Sequence, residues 1–450
     1  MRAFSLTKFA LLGALLFLFA IALWNVGLVV GERKSYRDQV IAEVAAGSAD
    51  RQRVLGPVLV VSGDAVNVAP DSGSTAARRT RLQAVLLPET LLVASSARVE
   101  VRHRGIHKAQ VFRSHHRITA IFHVPAHLDL DPAKLTGEPV GTWVFGVSDL
   151  RGLRKPPVVR ADGVPLVVTP GSGQKWIPQG FTAAAAVSAP EPRRWVIETD
   201  LDLIGTNRLA FVPIGGVTRI DLEGNWPHPS FDGTFLPDER TIDAKSFRAR
   251  WELSRFATGV DDAMARWRTS GDDGGQEGID VGVTFLEPVD VYQKSERATK
   301  YGMLFVLLTF IAFFLFEALK GLALHPLHYA LAGSALAIFF LLLLSLSEHL
   351  PFVVAYVVAA AACVGLLTHY MSHVLGGRTR GLVFGGMLAC LYALLFVILS
   401  SIDYALLLGT LLLFAVLAFV MIATRRVDWF RVGEKVATAA TTPTAPRPPA

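Results

Sequence analysis

"FALLGALLFLFAIALWNVGLVV", residues 9–30, decides the fold class, because it runs for 22 residues without a charge. About 20 apolar residues cross a hydrocarbon core about 30 Å thick. In lipid every backbone amide must bond within its own segment, so such a stretch is a helix. Five more apolar stretches follow, at about 301–319, 327–346, 351–368, 382–400 and 404–424. The sequence therefore predicts six membrane-spanning helices, with residues 31–300 lying between the first and the second. A cleaved leader is the rival reading of the first run, since "AIA" (20–22) resembles a small-x-small cleavage site. The run continues eight residues past it, to Val30, which favours an uncleaved anchor.

Charge placement sets the expected orientation. The groups beside one face of the six-helix arrangement are Arg2, Lys8, Lys320, Arg378, Arg380, Arg425, Arg426, Arg431, Lys435 and Arg447. The short loops on the other face, "SEHLP" (347–351) and "SSID" (400–403), contain no Lys or Arg. Lys and Arg gather on the cytoplasmic side of membrane helices, so both termini are expected in the cytoplasm and residues 31–300 outside the inner membrane. That segment holds 34 of the 44 Lys/Arg and 33 of the 38 Asp/Glu. Its near balance lacks the basic excess of a nucleic-acid binder. Both cysteines, Cys363 and Cys390, fall inside predicted helices, so the outer segment has to be held by its own core rather than by disulfides. The expected domains are 1–30, the amino-terminal helix; 31–300, the outer domain; 301–424, a five-helix bundle; and 425–450, a Pro/Thr/Ala-rich disordered tail.

Within the outer segment the hydrophobic period changes from helical to two. "YRDQVIAEVAAG" (36–47) spaces Val40, Ile41 and Val44 as an amphipathic helix ending at Gly47. After it, "RITAIFHV" (117–124), "WVIETDLDLIG" (195–205), "TRIDLEG" (218–224), "FRARWEL" (247–253) and "IDVGVTF" (279–285) alternate apolar and polar residues, as half-buried strands do. "PVLVVSG" (57–63), "RLQAVLLP" (81–88) and "PLVVTP" (165–170) read as short apolar strands. Many short strands without intervening helices predict antiparallel sheets packed as a sandwich. One short helix is expected at 259–268, with Met264 and Trp267 on one face, and "GDDGGQEG" (271–278) reads as a loop.

The richest candidates for chemistry are His103, His107, His115, His116, His123 and His127. Zinc would suit such ligands, but the spacing argues against it. His103 and His107 flank a glycine, and His116 and His123 lie an odd number of residues apart, on opposite faces of a strand. His115 and His123 share a face but stand far apart along it. The outer segment has no G-x-S-x-G elbow, no S-x-x-K, no phosphate loop and no dinucleotide fingerprint. Neither a cofactor nor a metal is expected, and no catalytic grouping is found. In the membrane stretches the candidate polar residues are Glu317, His325 and Glu348, which would line a path in a transporter or lipid-handling protein. The stretch has no ionisable group at mid-bilayer, which counts against a proton or ion relay. Ala355, Ala359 and Cys363 recur at every fourth position, a small-residue stripe that lets helices approach closely.

Several blocks then converge on one family. "NWPHPSFDGTFLPDER" (225–240), "SERATKYGMLFVLLTFIAFFLFEALKGLALHPLHY" (295–329) and "LLLLSLSEHLPF" (341–352) resemble the CreD family of bacterial inner-membrane proteins. "VLGPVLVV" (54–61), "SDLRGL" (148–153) and "DYALLLGT" (403–410) extend the likeness over nearly the whole chain. The resemblance implies an inner-membrane location in a Gram-negative cell and a role in cell-envelope integrity, with colicin tolerance as an older description. It also implies control by a two-component system linked to cell-wall stress and β-lactam response. It brings no catalytic residue. The expected partners are the lipid bilayer and another envelope protein or a cell-wall-derived ligand. The expected role is sensing or scaffolding, with transport or lipid handling as the alternative and a periplasmic hydrolase third. The interaction residues singled out are Trp226, His228 and Phe231 in "NWPHPSF" (225–231). Its prolines push their predecessors to extended geometry and are expected to preclude sheet pairing, which leaves a stiff corner.

Overall fold

Burial and exposure alternate at every position from Phe247 to Ser254, and the same period of two recurs over 91–100, 112–124, 197–205 and 217–222. The computed structural model describes residues 2–67, 78–126, 135, 138–185, 192–270, 279–286, 291–320, 325–401 and 404–425. A helix, α1 (Arg2–Gly47), leads into β1 (Gln52–Asn67), β2 (Arg78–Leu86), β3 (Thr90–Arg104), β4 (His107–Val124) and β5 (Val140–Val147). Next come β6 (Val158–Ala161), β7 (Val164–Pro165), β8 (Val168–Pro170), β9 (Gly180–Ala185) and β10 (Arg193–Thr206). The series ends with β11 (Arg208–Phe211), β12 (Val217–Gly224), β13 (Pro229–Gly233), β14 (Glu239–Ile242), β15 (Phe247–Ser254) and β16 (Val281–Phe285). Two short helices, α2 (Arg255–Thr258) and α3 (Val260–Ser270), lie between the last two strands. Met264 and Trp267 of α3 are both buried, as their shared face predicts.

The strands form two sheets. The first runs β13-β16-β11-β1-β5-β9-β8, with β2 also paired to β1; the second runs β14-β15-β12-β3-β4-β10-β6-β7. Their inner faces share one core. Phe122 of β4 meets Trp143 of β5 with ring centroids 4.8 Å apart, and Phe112 meets Phe285 at 5.3 Å. Trp143 and Trp251 are completely buried; burying a large apolar side chain contributes about 1.5–3 kcal/mol. The sandwich is therefore as expected, with two departures. The sheets are not purely antiparallel: β1 pairs with β11, and β3 with β12, in parallel. Parallel partners need long crossovers, and these two pairs are joined by chain that passes through the opposite sheet. "PLVVTP" is also not one strand, since its ends pair with different sheets: Pro165 with Arg160, and Val168–Pro170 with β9.

By Cα proximity the chain divides into two units, Met1–Arg37 with Val289–Ala450, and Asp38–Pro288. The sandwich makes up the second. The first contains α4 (Val291–Lys320), α5 (Pro326–Ser347), α6 (Phe352–Val374), α7 (Arg378–Ser400) and α8 (Ala405–Thr424). The connector expected at 36–47 is not a separate element: α1 continues through it without a break to Gly47, with Val40 buried. Five helices are long and apolar enough to cross a membrane: Ala10–Val44, Val291–Phe314, Pro326–Ser347, Phe352–Val374 and Arg378–Ser400. The apolar part of α8, Leu407–Ile422, is shorter, so the expected count of six is not established among the described residues. Ala355 and Ala359 are fully buried and Cys363 nearly so. Cys363 lies 3.6 Å from the Ala335 carbonyl of α5 and 3.1 Å from the Tyr392 hydroxyl of α7, so the small-residue stripe faces two neighbours at once. Gly333 serves the same close approach: a Cβ there would collide with the ring of Phe19.

Candidate functional site

The corner between β12 and β13 carries the chain from the second sheet to the first. Asn225 opens it. β12 stops pairing with β3 at Gly224↔Ala97, and Asn225 continues the ladder with its side chain. Its Oδ1 accepts the Val99 amide at 2.7 Å, and its Nδ2 donates to the Val99 carbonyl at 3.4 Å. Trp226 is half-buried against the core, and its Nε1 donates to the Leu286 carbonyl at 3.0 Å. His228 is exposed. Phe231 packs edge-on to Phe247 and Trp251, with centroids 5.8 and 5.9 Å away. The expectation that the prolines exclude sheet pairing is corrected at Pro229, which begins β13 and pairs with Phe285. β13 is the edge strand, and the first residue of an edge strand can lack an amide proton. Asp232 fastens this edge by accepting from Arg208 Nε at 2.8 Å. Arg208 also donates to Asp280 at 2.9 and 3.1 Å. Burial alone would lower the Arg208 pKa, and its bonds to Asp280 and Asp232 raise it instead.

Beside the corner, the outer face of the second sheet holds a groove in two adjoining parts of about 590 and 560 Å³. In the first part, charges are paired across strands. Arg250 donates to Asp221 at 2.6 Å and to Glu239 at 3.1 Å, and Arg117 meets Asp200 at 3.3 Å. The second part is lined by Arg98, Arg113, Ser96, Thr241 and Asn225 among others. Arg98 and Arg113 are directly opposed on β3 and β4. Sequence reasoning missed Asn225 and this arginine pair, because only the strand register brings them to one place.

The histidines do not converge. His115 and His123 lie on the outer face of β4, while His116 is fully buried on the inner one. His115 Nδ1 is 2.8 Å from Asp202 Oδ1, and that hydrogen bond is the main reason the Asp202 pKa is lowered. His103 and His107 sit near the β3–β4 turn, with His107 buried. His127 lies outside the described residues. Among the described residues no group of three or more His, Cys, Asp or Glu is placed to hold a metal ion. The "SDLRGL" block is a clamp. Asp149 caps a 3-10 turn and accepts the Asp50 amide at 2.9 Å, while Arg151 reaches the Ala46 carbonyl at the end of α1 at 2.6 Å.

Of the membrane candidates, His325 and Glu348 do not come together. His325 and Glu348 cap opposite ends of α5, which has 22 residues and is roughly 33 Å long at 1.5 Å per residue. His325 Nδ1 accepts the Leu327 amide at 3.2 Å. Glu348 accepts from the Tyr292 hydroxyl at 3.2 Å, with Arg33 at 3.9 Å. Glu317 falls within α4, and its side chain lies outside the described residues.

A bundle of apolar helices interrupted, after the first of them, by a two-sheet sandwich defines a multi-pass membrane protein with a large sheet-rich domain. A family model described as inner membrane protein CreD matches residues 5–430. The chain belongs to the CreD family of inner membrane proteins. Inner membrane protein CreD of Escherichia coli (strain K12) is 34% identical over 423 residues, which are 94% of this chain and 92% of that protein. Among solved structures, an M1 zinc metallopeptidase from Deinococcus radiodurans is matched over 44% of this chain and 42% of its own length. The identity is 5% and the TM-score 0.20, too low for a shared fold.

Proposed function

We propose that this protein supports cell-envelope integrity as a non-enzymatic sensing or scaffolding component, with both termini in the cytoplasm and the sandwich in the periplasm. The supporting observation is the corner at 225–231, an exposed imidazole presented on a backbone fixed from both sides. Asn225 ties one end to β3, and the Trp226 indole and Phe231 ring anchor the rest to the core. Loops fixed on a rigid scaffold are where binding residues concentrate. The described serine–histidine contact, His116 with Ser95 and Ser114, is buried from any substrate, which weighs against hydrolysis.

The test is a photo-crosslinking residue at position 228 of the full-length protein in its native membrane. The proposal expects one reproducible envelope protein or cell-wall fragment. Trp226→Ala should abolish that adduct and the envelope phenotype while protein abundance stays unchanged. If Trp226→Ala only lowers abundance, the corner is structural and the recognition role fails.

A further inference from the structure

The groove beside the corner contains an arrangement that the fold does not require. Arg98 and Arg113 stand directly across from each other on β3 and β4, both exposed on the outer face. Like charges at directly opposed strand positions destabilise a sheet. Elsewhere on this face such a cost is avoided: Arg248 has Glu223 at 3.5 Å, Arg250 has Asp221 and Glu239, and Arg219 has Glu252 at 2.5 Å. Among the described residues neither the Arg98 nor the Arg113 side chain forms an ion pair or hydrogen bond. The nearby carboxylates are engaged elsewhere or stand apart: Glu223 meets Arg248, Asp243 accepts from Ser246, and Glu100 is opposed to Val111. Arg98 and Arg113 therefore line one cavity of about 560 Å³ with the hydroxyl-bearing Ser96, Thr241 and Ser246; the same lining contains Arg248, paired with Glu223, and Asp243, which accepts from the Ser246 hydroxyl.

We infer that this cavity is an oxyanion site for the phosphoryl group of a water-soluble ligand. A guanidinium offers its donors as a planar fork that matches carboxylate or phosphate oxygens. A phosphoryl group carries nearly two negative charges at neutral pH, so two guanidiniums outside the Arg248–Glu223 pair attract it more strongly than they attract a carboxylate. Its three oxygens also accept from more directions than a carboxylate does, which suits a lining that sets two guanidinium forks beside the hydroxyls of Ser96 and Thr241. The aromatic ring in the lining, Phe247, is buried, and no exposed large apolar side chain lines the cavity. A lipid bound through its acyl chains therefore has nothing to rest on here. Asn225 holds the floor by bonding both polar groups of the Val99 backbone, one residue beyond Arg98. This site is distinct from the exposed His228 corner, and it requires neither the proposed orientation nor a crosslinked partner.

The experiment uses the full chain in detergent, with thermal unfolding followed by tryptophan fluorescence. Inorganic phosphate is titrated against sodium chloride at matched ionic strength, since bulk screening acts alike for both. The site predicts that phosphate raises the midpoint saturably while chloride does not. The double variant Arg98→Gln/Arg113→Gln should then require at least about tenfold more phosphate for half the shift, as expected when charge-assisted bonds are removed. It should also melt no lower than the parent without phosphate, because a like-charge contact has gone. Arg102→Gln, on the same strand but outside the cavity, should leave the half-saturating concentration unchanged. The inference is overturned if phosphate acts no differently from chloride, or if Arg102→Gln weakens the response as much as the double variant does. Protection by phosphatidylglycerol nanodiscs without any response to inorganic phosphate would overturn it in favour of a lipid headgroup.

Discussion

His116 has no exposed surface, yet it is a titratable residue in the middle of β4. Its Nδ1 lies 2.9 Å from Ser95 Oγ and its Nε2 2.7 Å from Ser114 Oγ. A neutral imidazole has one donor and one acceptor, and the two hydroxyls match them. The ring of Phe211, 5.4 Å away by centroid, completes the apolar side. Burial above all, then the nearby His115, pushes its pKa down to about 3, against a smaller opposing pull from Asp202. The folded pKa thus lies below the usual value of 6.5, and the unfolded chain takes up the proton first. This contribution to stability is complete above pH 6.5 and is lost as pH falls towards 3, by about 1.4 kcal/mol per unit. The carboxylates of Asp149, Asp200 and Asp202 are lowered from 3.8, so their contributions fade only in stronger acid. Urea midpoints at pH 7.5 and 5.5 should therefore fall between those values in the parent protein. The fall should be much smaller in His116→Gln; an equal slope in both would show that His116 is not responsible.

At the scale of elements, the corner and its flanking strands depend on a few local contacts. Asn225→Ala would leave the Val99 amide without its acceptor, at a cost of about 1–3 kcal/mol. Chemical denaturation should show that loss with α-helical content unchanged. Gly180→Ala should be more severe, because its Cβ would fall onto the Phe145 carbonyl oxygen inside the β5–β9 pair; failure to accumulate the variant is the expected outcome. Much of this architecture is legible in the sequence. The alternation in β4, β10, β12 and β15 is local, and half-burial enforces it residue by residue. The parallel pairing of β3 with β12 is not local, since it joins residues 90–97 to 217–224. No periodicity specifies which strand becomes a neighbour. The same limit hid the arginine pair, because Arg98 and Arg113 are unremarkable until the register places them opposite each other. Pro229 misled for a related reason: a proline's effect on pairing depends on whether its strand is central or at an edge, and the sequence does not state which.

For the whole molecule, the distribution of Lys and Arg makes a topological prediction independent of the fold. A cysteine introduced at His228 should react with a membrane-impermeant maleimide in intact spheroplasts, and one at Thr442 only after lysis. The reverse pattern would place the sandwich in the cytoplasm and remove the envelope-sensing role. Ala359→Leu offers a matching check on the bundle. Ala359 is completely buried within the helical core, and overpacking typically costs about 1–3 kcal/mol, so the thermal midpoint in detergent should fall.

The pairing of β1, β11 and β16 has a consequence for how such a protein can be built. Gln52 pairs with Leu209, and Leu209 pairs with Val283. The first and last strands of the sandwich are thus separated by a single strand, roughly 10 Å at the usual spacing, and the chain begins and finishes at the same end of them. A short bridge from residue 286 to residue 51 would close the sandwich into a ring, and new termini could be cut at an exposed turn such as Asp162–Gly163. The domain is in that sense a cassette. Its two ends call for no more space than a pair of adjacent polypeptide segments.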